Sequence, residues 1–302
     1  MRVFSTLVQI MSAIFRRRFG HQKGAVLMQA VKYFAWAMVT MMIVAMAEPY
    51  ALAGEDDRVW NAPWRFHFNL YGWLPDAPAT IDVKGKEVVD VPEELDTVLD
   101  SLDMTAMFEV EVHKGPVFAF ANVVYYDGEY DERFIGPLSG LSRKLTLEEE
   151  VWAIKYGAGY RVGKWQLGSD PDAPVLALYP WVGGFYFHDD YEVKVDPAGA
   201  VLDGVKIDGT FKFNTPMAGL GSRLDFWERW YLNLSYSYGG WHVDNVDEIW
   251  DFIGNIGYRF DMWGVSSKVY AGYRYLSFDH DQRDVRIQLD AKGPFFGIGW
   301  EF

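Results

Sequence analysis

Beyond residue 60, apolar and polar residues alternate over most of the chain. Successive side chains on a strand point to opposite faces, so a period of two marks strands with two different sides. In Trp64–Leu74, Trp64, Phe66, Phe68 and Leu70 alternate with Arg65, His67, Asn69 and Tyr71. In Asp103–His113, Met104, Phe108, Val110 and Val112 alternate with Thr105, Glu109, Glu111 and His113. Tyr231–Gly239, Trp250–Phe260 and Val265–Tyr275 repeat the pattern, the last with Val269, Ala271 and Tyr273 set against Lys268, Tyr270 and Arg274. Less regular strands are expected over Val117–Tyr126, Leu145–Arg161, Val175–His188, Thr210–Leu224 and Val285–Phe302. In the last, Val285, Ile287 and Leu289 hold one parity while Phe296, Ile298, Trp300 and Phe302 hold the other. A bulge near Lys292-Gly293-Pro294 would account for the slip.

The connections alternate in length. Lys114-Gly115-Pro116, Asp225–Trp230 and Asp261–Gly264 are short, whereas Asp76–Leu102, Asp127–Lys144, Asp189–Gly209, Gly240–Glu248 and Ser277–Asp284 are mostly longer and acidic. Val162–Pro174 is long where a short turn is expected. Ten antiparallel strands with short turns on one side and long loops on the other predict an all-β, closed transmembrane barrel, its termini on the short-turn side. Within Asp76–Leu102, Ile81–Val83 and Val88–Val91 form a possible extra hairpin, which would make twelve strands, and Pro92–Leu102 reads as a short acidic helix. Tyr and Trp gather near the strand ends, among them Trp64, Trp73, Trp165, Trp227, Trp230, Trp241, Trp263 and Trp300, as suits a membrane interface. A soluble barrel or sandwich with aromatic-rich strands is the alternative.

Composition narrows the class. Aromatics are 17% of the 302 residues, too many for a disordered chain, and the lack of Cys excludes a disulfide scaffold. The apolar run Tyr33–Ala47 follows Lys32 and precedes the small-residue patterns Ala45-Met46-Ala47 and Ala51-Leu52-Ala53. This reads as a secretory signal, with cleavage after Ala47 or Ala53. Residues 1–53 form a leader with an N-terminal extension, the true start being possible at Met28, and residues 54–302 form the barrel. An N-terminal membrane anchor is the alternative reading. Residues 1–53 hold six of the 28 basic and one of the 42 acidic groups, so the other 249 carry a formal net charge of −19. Such a chain repels nucleic acid, and its acidic loops are candidate binders of divalent cations.

The alternation turns Arg65, His67, Glu109, Glu111, Lys155, Arg223, Arg259, Lys268 and Arg274 inward. In a narrow barrel these charges are expected to pair, Glu109 and Glu111 with Arg259, Arg274 or Lys268, because an unpaired charge in a small lumen is costly. A gated conduit for small solutes is the alternative use of the same residues. On the loop side, His188 stands beside Asp189, His242 near Asp244, and His280 beside Asp279. Carboxylate-oriented imidazoles serve general-base chemistry or metal binding. Solvated acidic loops also contain His by chance, and no nucleophile motif or metal-ligand spacing accompanies these. Gly157-Ala158-Gly159 and Gly297-Ile298-Gly299 lack the Lys and following helix of a phosphate loop. Neither a cofactor nor a particular metal is indicated.

The ending Phe296-Gly297-Ile298-Gly299-Trp300-Glu301-Phe302 resembles the C-terminal strand of Gram-negative outer-membrane β-barrel proteins. The resemblance implies that Phe296, Ile298, Trp300 and Phe302 are read by the barrel-assembly machinery and that the surroundings are outer-membrane lipid. Trp64–Pro75, Val89-Asp90-Val91 and Leu95–Met107 also resemble the opening of a broad uncharacterised set of such proteins. No catalytic motif comes with either. The expected role is therefore a structural barrel or narrow small-solute conduit with a salt-bridged lumen. A hydrolase using the loop His/Asp pairs and a surface protein with cation-binding loops are the alternatives.

Overall fold

The computed structural model describes residues 62–76, 79–83, 86–91, 102–135, 142–170, 172–195, 205–282 and 285–302. The leader and the acidic helix expected over Pro92–Leu102 lie outside them, apart from Leu102 itself, which is strand. The strands are β1 (Trp64–Trp73), β2 (Ala79–Val83), β3 (Lys86–Val91), β4 (Leu102–Lys114), β5 (Val117–Ile135), β6 (Ser142–Tyr160), β7 (Gly163–Gln166), β8 (Val175–Val195), β9 (Val205–Phe226), β10 (Trp230–Val243), β11 (Val246–Met262), β12 (Val265–Gln282) and β13 (Val285–Glu301). Ten of them follow one another around a wall in the order β1, β4, β5, β6, β8, β9, β10, β11, β12, β13. β13 then pairs antiparallel with β1, from His67↔Glu301 to Trp73↔Phe295, and the ring closes. Closure leaves the wall's backbone groups paired within the protein, which is what permits strands in lipid.

The two extra strands do not enlarge the ring to twelve. β13 has 17 residues and β1 has ten, so the edge of β13 before Phe295 runs on past the end of β1. β2 pairs along that edge, from Leu289↔Ala79 to Val285↔Val83, and β3 folds back on β2. The hairpin thus extends the seam lengthwise and covers an edge that would otherwise be open. The long connection Val162–Pro174 is resolved in a similar way, since β7 pairs with the start of β8.

No bulge interrupts β13. Its register with β12 is unbroken from Gln282↔Val285 to Ser266↔Glu301. The apolar parity changes because the two halves of the strand face different apolar surroundings. Ile287 and Leu289 pack on the core inside the barrel, whereas Phe296, on the other parity, is 59% exposed on the outside.

Among the described residues, the long-connection side consists largely of strand. β9 has 22 residues and β8 has 21, against roughly 9–11 that suffice to cross a bilayer. Gly240–Glu248, expected as a loop, is mostly strand around a two-residue turn, Asp244-Asn245, with φ of 55° and 62°. Asp and Asn tolerate this left-handed conformation, and turns of this twist match the twist of the flanking strands. On the short side, Trp263-Gly264 does the same with φ of 55° and 79°.

The exterior explains the outward parity. Leu70, Val182, Leu220, Leu234, Phe252, Ile256 and Val269 are all exposed on the wall, Val182 at 69%. In water such a belt would drive aggregation; in lipid it is the solvated surface. Trp227 and Trp263 lie bare on the short turns, and Tyr236, Trp241, Tyr273 and Tyr275 are exposed towards the other rim. The molecule is a closed, ten-stranded antiparallel transmembrane barrel. Arg in place of Val182 should therefore destabilise the protein in liposomes by about 2–4 kcal/mol, whereas Trp263→Arg at a turn tip should cost less than about 1 kcal/mol. The urea midpoint of each variant, followed by tryptophan fluorescence, measures the difference.

Candidate functional site

The lumen is filled over most of its length. Towards the long-strand end, Phe185, Phe187, Phe213, Met217, Ile249, Leu276 and Phe278 form an apolar plug. Phe213 packs edge-on against Phe278 at 5.2 Å and nearly parallel to Phe187 at 5.5 Å. Inward glycines make space for the larger rings: Trp181 lies so close to Gly157 and Gly219 that a Cβ on either would collide with it.

Against the plug lies an ionic layer. Asp251 has a side chain with no exposure. Lys155 Nζ donates to its Oδ2 at 2.6 Å, and Arg274 donates from Nε to Oδ1 at 3.0 Å and from Nη2 to Oδ2 at 3.1 Å. The Arg274 guanidinium also stacks over Trp73 at 4.8 Å. Below it, Glu109 accepts from Asn69 at 2.9 Å and from Asn122 at 3.2 Å, while the Tyr71 hydroxyl donates to Asn122 at 2.9 Å.

The short-turn end holds a cavity of about 340 Å³ that reaches from Gly115 and Pro116 in a turn up to Lys155 and Trp181. A smaller cavity of about 80 Å³, which shares Glu109, Glu111 and Lys268 with it, ends against Arg274. Arg223 and Arg259 both bind Asp225 and flank the Tyr231 ring at 4.6 and 5.6 Å. On the seam side, the His67 and His113 rings stack at 4.7 Å. Glu111 Oε2 lies 2.9 Å from His113 Nε2, and Glu301 Oε1 lies 3.6 Å from His67 Nε2.

The expected lumen residues Glu109, Glu111, Lys155, Arg223, Arg259, Lys268 and Arg274 thus line one or both of two adjoining cavities. The expected partnerships differ. Among the described residues, Lys155 and Arg274 converge on Asp251, Arg223 and Arg259 on Asp225, Glu109 on two amides and Glu111 on His113. Asp251 and Asp225 were missed as partners although Asp251 shares the parity of Arg259 on β11. That parity was the available signal.

The rim histidines point to different surroundings. His188 pairs with Asp190 at 3.1 Å, rather than with Asp189, and His242 with Asp247 at 2.7 Å, rather than with Asp244. Asp244 accepts instead from the Asn214 backbone N–H at 2.8 Å. His280 turns inward, 3% exposed, against Phe211 and Phe213, and burial pushes its imidazole below the ordinary range. Asp279 accepts from Arg286 and from Gln288; burial raises its carboxyl, but these bonds outweigh it and hold the group below its usual range. Of the ending residues, Trp300 stacks on Phe68 at 6.0 Å across the seam, and Phe296 and Ile298 share its outward parity.

Asp251→Asn leaves Lys155 and Arg274 buried without their counter-charge. A loss of about 3–5 kcal/mol is expected. Adding Lys155→Met should return part of it, so the double change costs less than the sum of the two single ones. The temperature at which the folded gel band converts to the unfolded one ranks the three variants.

No family model matches the chain, and no curated protein matches it. Among solved structures, the outer membrane protease OmpT from Escherichia coli is similar at 11% identity over 80% of this chain and 98% of that one, with a TM-score of 0.49. Ail, the attachment invasion locus protein of Yersinia pestis, is similar at 9% identity, over 80% and 99%, with a TM-score of 0.29. A Pseudomonas aeruginosa FadL homologue is similar at 10%, over 80% and 90%, with a TM-score of 0.27. At these scores the resemblances add nothing to what strand pairing itself shows. Ring closure, a bare apolar belt and aromatic rims at both ends are the features of an outer-membrane β-barrel, and on that physical ground the chain is one.

Proposed function

We propose that this barrel is a sealed structural element of the outer membrane, with a polar pocket open only at its short-turn, periplasmic end. The carrying observation is the Lys155–Asp251–Arg274 layer with the aromatic plug against it. A solute path would need both to part. Opening the ionic layer strands charges in a low-dielectric interior, and opening the plug breaks ring packing that includes Phe185 at 0% and Phe213 at 1% exposure. Neither has a hinge or loop of its own, since both are built from wall strands. The pocket is polar and adjoins bulk solvent, so it favours small hydrophilic occupants over lipid.

The purified protein in planar bilayers should give no steady single-channel currents at neutral pH. Asp251→Asn should introduce at most brief flickering, because the plug remains. Large, steady currents from the unmodified protein would show the barrel to be a conduit.

A further inference from the structure

We propose that His67, Glu111 and His113 form a binding site for a divalent transition-metal ion, with zinc(II) the best match, at the barrel seam. Their donor atoms all lie within 4.8 Å of one another. Ligands around a tetrahedral ion with bonds of about 2.0 Å sit roughly 3.3 Å apart, so side-chain shifts on the order of 1 Å would bring the three onto one ion. Two imidazoles and a carboxylate are a donor set that zinc takes in catalytic and exchangeable sites, leaving a further position for water or a fourth ligand.

The wall makes this cluster. His67 on β1 lies opposite Glu111 on β4, and Arg65 lies opposite His113, so the inward parity of both strands stacks the two imidazoles beside the carboxylate. On the other side of β1, His67 lies opposite Glu301 of β13. Glu301 Oε1, 3.6 Å from His67 Nε2, is near enough to become the fourth ligand after a small side-chain shift. The 2.9 Å contact between His113 and Glu111 requires a hydrogen between the two groups, which an arriving ion would displace into solvent. The large cavity opens onto all four residues, giving an entry path from the short-turn end.

The surroundings select the kind of ion. Lys268, Arg65, Arg223 and Arg259 line the same cavity, so the pocket does not concentrate cations by its field. An ion held there depends on bonds to imidazole nitrogen. That favours zinc, copper or nickel over calcium and magnesium, which prefer all-oxygen sites. This site is separate from any cation binding by the acidic surface loops, and it does not depend on whether the lumen conducts.

Metal-stripped, folded protein in detergent should bind one equivalent of ZnCl2 by titration calorimetry and give no heat with CaCl2. His67→Ala and His113→Ala should each weaken zinc about 100-fold, and Glu111→Gln about 10-fold. His242→Ala, at the other end of the barrel, should leave binding unchanged. Heat-modifiable gel migration checks that each variant is folded. Should the histidine variants not fold, X-ray absorption of the zinc-loaded unmodified protein must show two imidazole nitrogens in its shell. Overturning results are an unmodified protein that takes up no zinc, a zinc shell without two imidazoles, or a folded double His67→Ala, His113→Ala variant with undiminished affinity.

Discussion

Lys155 and Arg274 reach the same carboxylate from well-separated parts of the wall, and that meeting sets what the rest of the barrel can be. Lys155 is on β6, Asp251 on β11 and Arg274 on β12. Four strand-to-strand steps around the ring separate β6 from β11, yet their side chains touch at 2.6 Å. The bore is therefore no wider than two side chains at this level. A charge placed there has no bulk water to solvate it, so an inward ionic group at this level needs a counter-charge or amide, whether across the lumen or on an adjoining strand. The inward glycines follow from the same constraint: Trp181 fits because Gly157 and Gly219 leave it room.

The narrow bore divides the interior lengthwise. Above the Asp251 layer the inward positions are mostly aromatic and aliphatic, so the strands beyond the membrane are held by a largely apolar core. This is how β8 and β9 can run on for about twenty residues each without lipid to support them. Below the layer the inward positions are Arg, Lys, Glu and His around open space. The basic groups of an otherwise acidic chain are thus gathered partly inside, while acidic residues dominate the long-strand end. The segregation keeps opposite charges together in the lumen, while the outward belt carries apolar residues such as Leu70, Val182 and Leu234.

Parity made much of this legible and also limited it. Alternation in Trp64–Leu74, Asp103–His113 and Val265–Tyr275 identified the inward side of β1, β4 and β12, because each strand has lipid on one side and a polar lumen on the other. It misled in Val285–Phe302, where Ile287 and Leu289 are apolar and inward while Phe296 is apolar and outward. A sequence pattern records polarity, and only the depth of a position says which face an apolar residue belongs to. Partners were less legible still. Glu109 was expected to meet an Arg or Lys and instead meets Asn69 and Asn122 on the adjoining strands. Pairing across the lumen depends on stagger between strands, which no single strand encodes. The Asp244-Asn245 turn was missed for a related reason: two short polar residues amid a long acidic stretch read as loop until the flanking strands are seen to pair.

The histidines show how closure changes the chemical meaning of a residue. His188 and His242 bond to carboxylates two and five positions away, contacts that a single strand and a single hairpin turn provide. Such pairs occur wherever an acidic segment contains a His, and they carry little information about chemistry. His67 and His113 are 46 positions apart and belong to strands that become neighbours only because β4 pairs with β1 beyond the β2–β3 hairpin. Glu301 joins them from the far end of the chain through the β1–β13 seam. Bringing three strands' polar groups together at that point requires the correct register on both sides of β1, since a slip of one residue would turn His67 into the membrane and Phe66 or Phe68 into the lumen. The register that keeps apolar residues in lipid is therefore the same one that assembles the imidazoles, so the belt on the outside and the cluster on the inside are two consequences of one strand alignment.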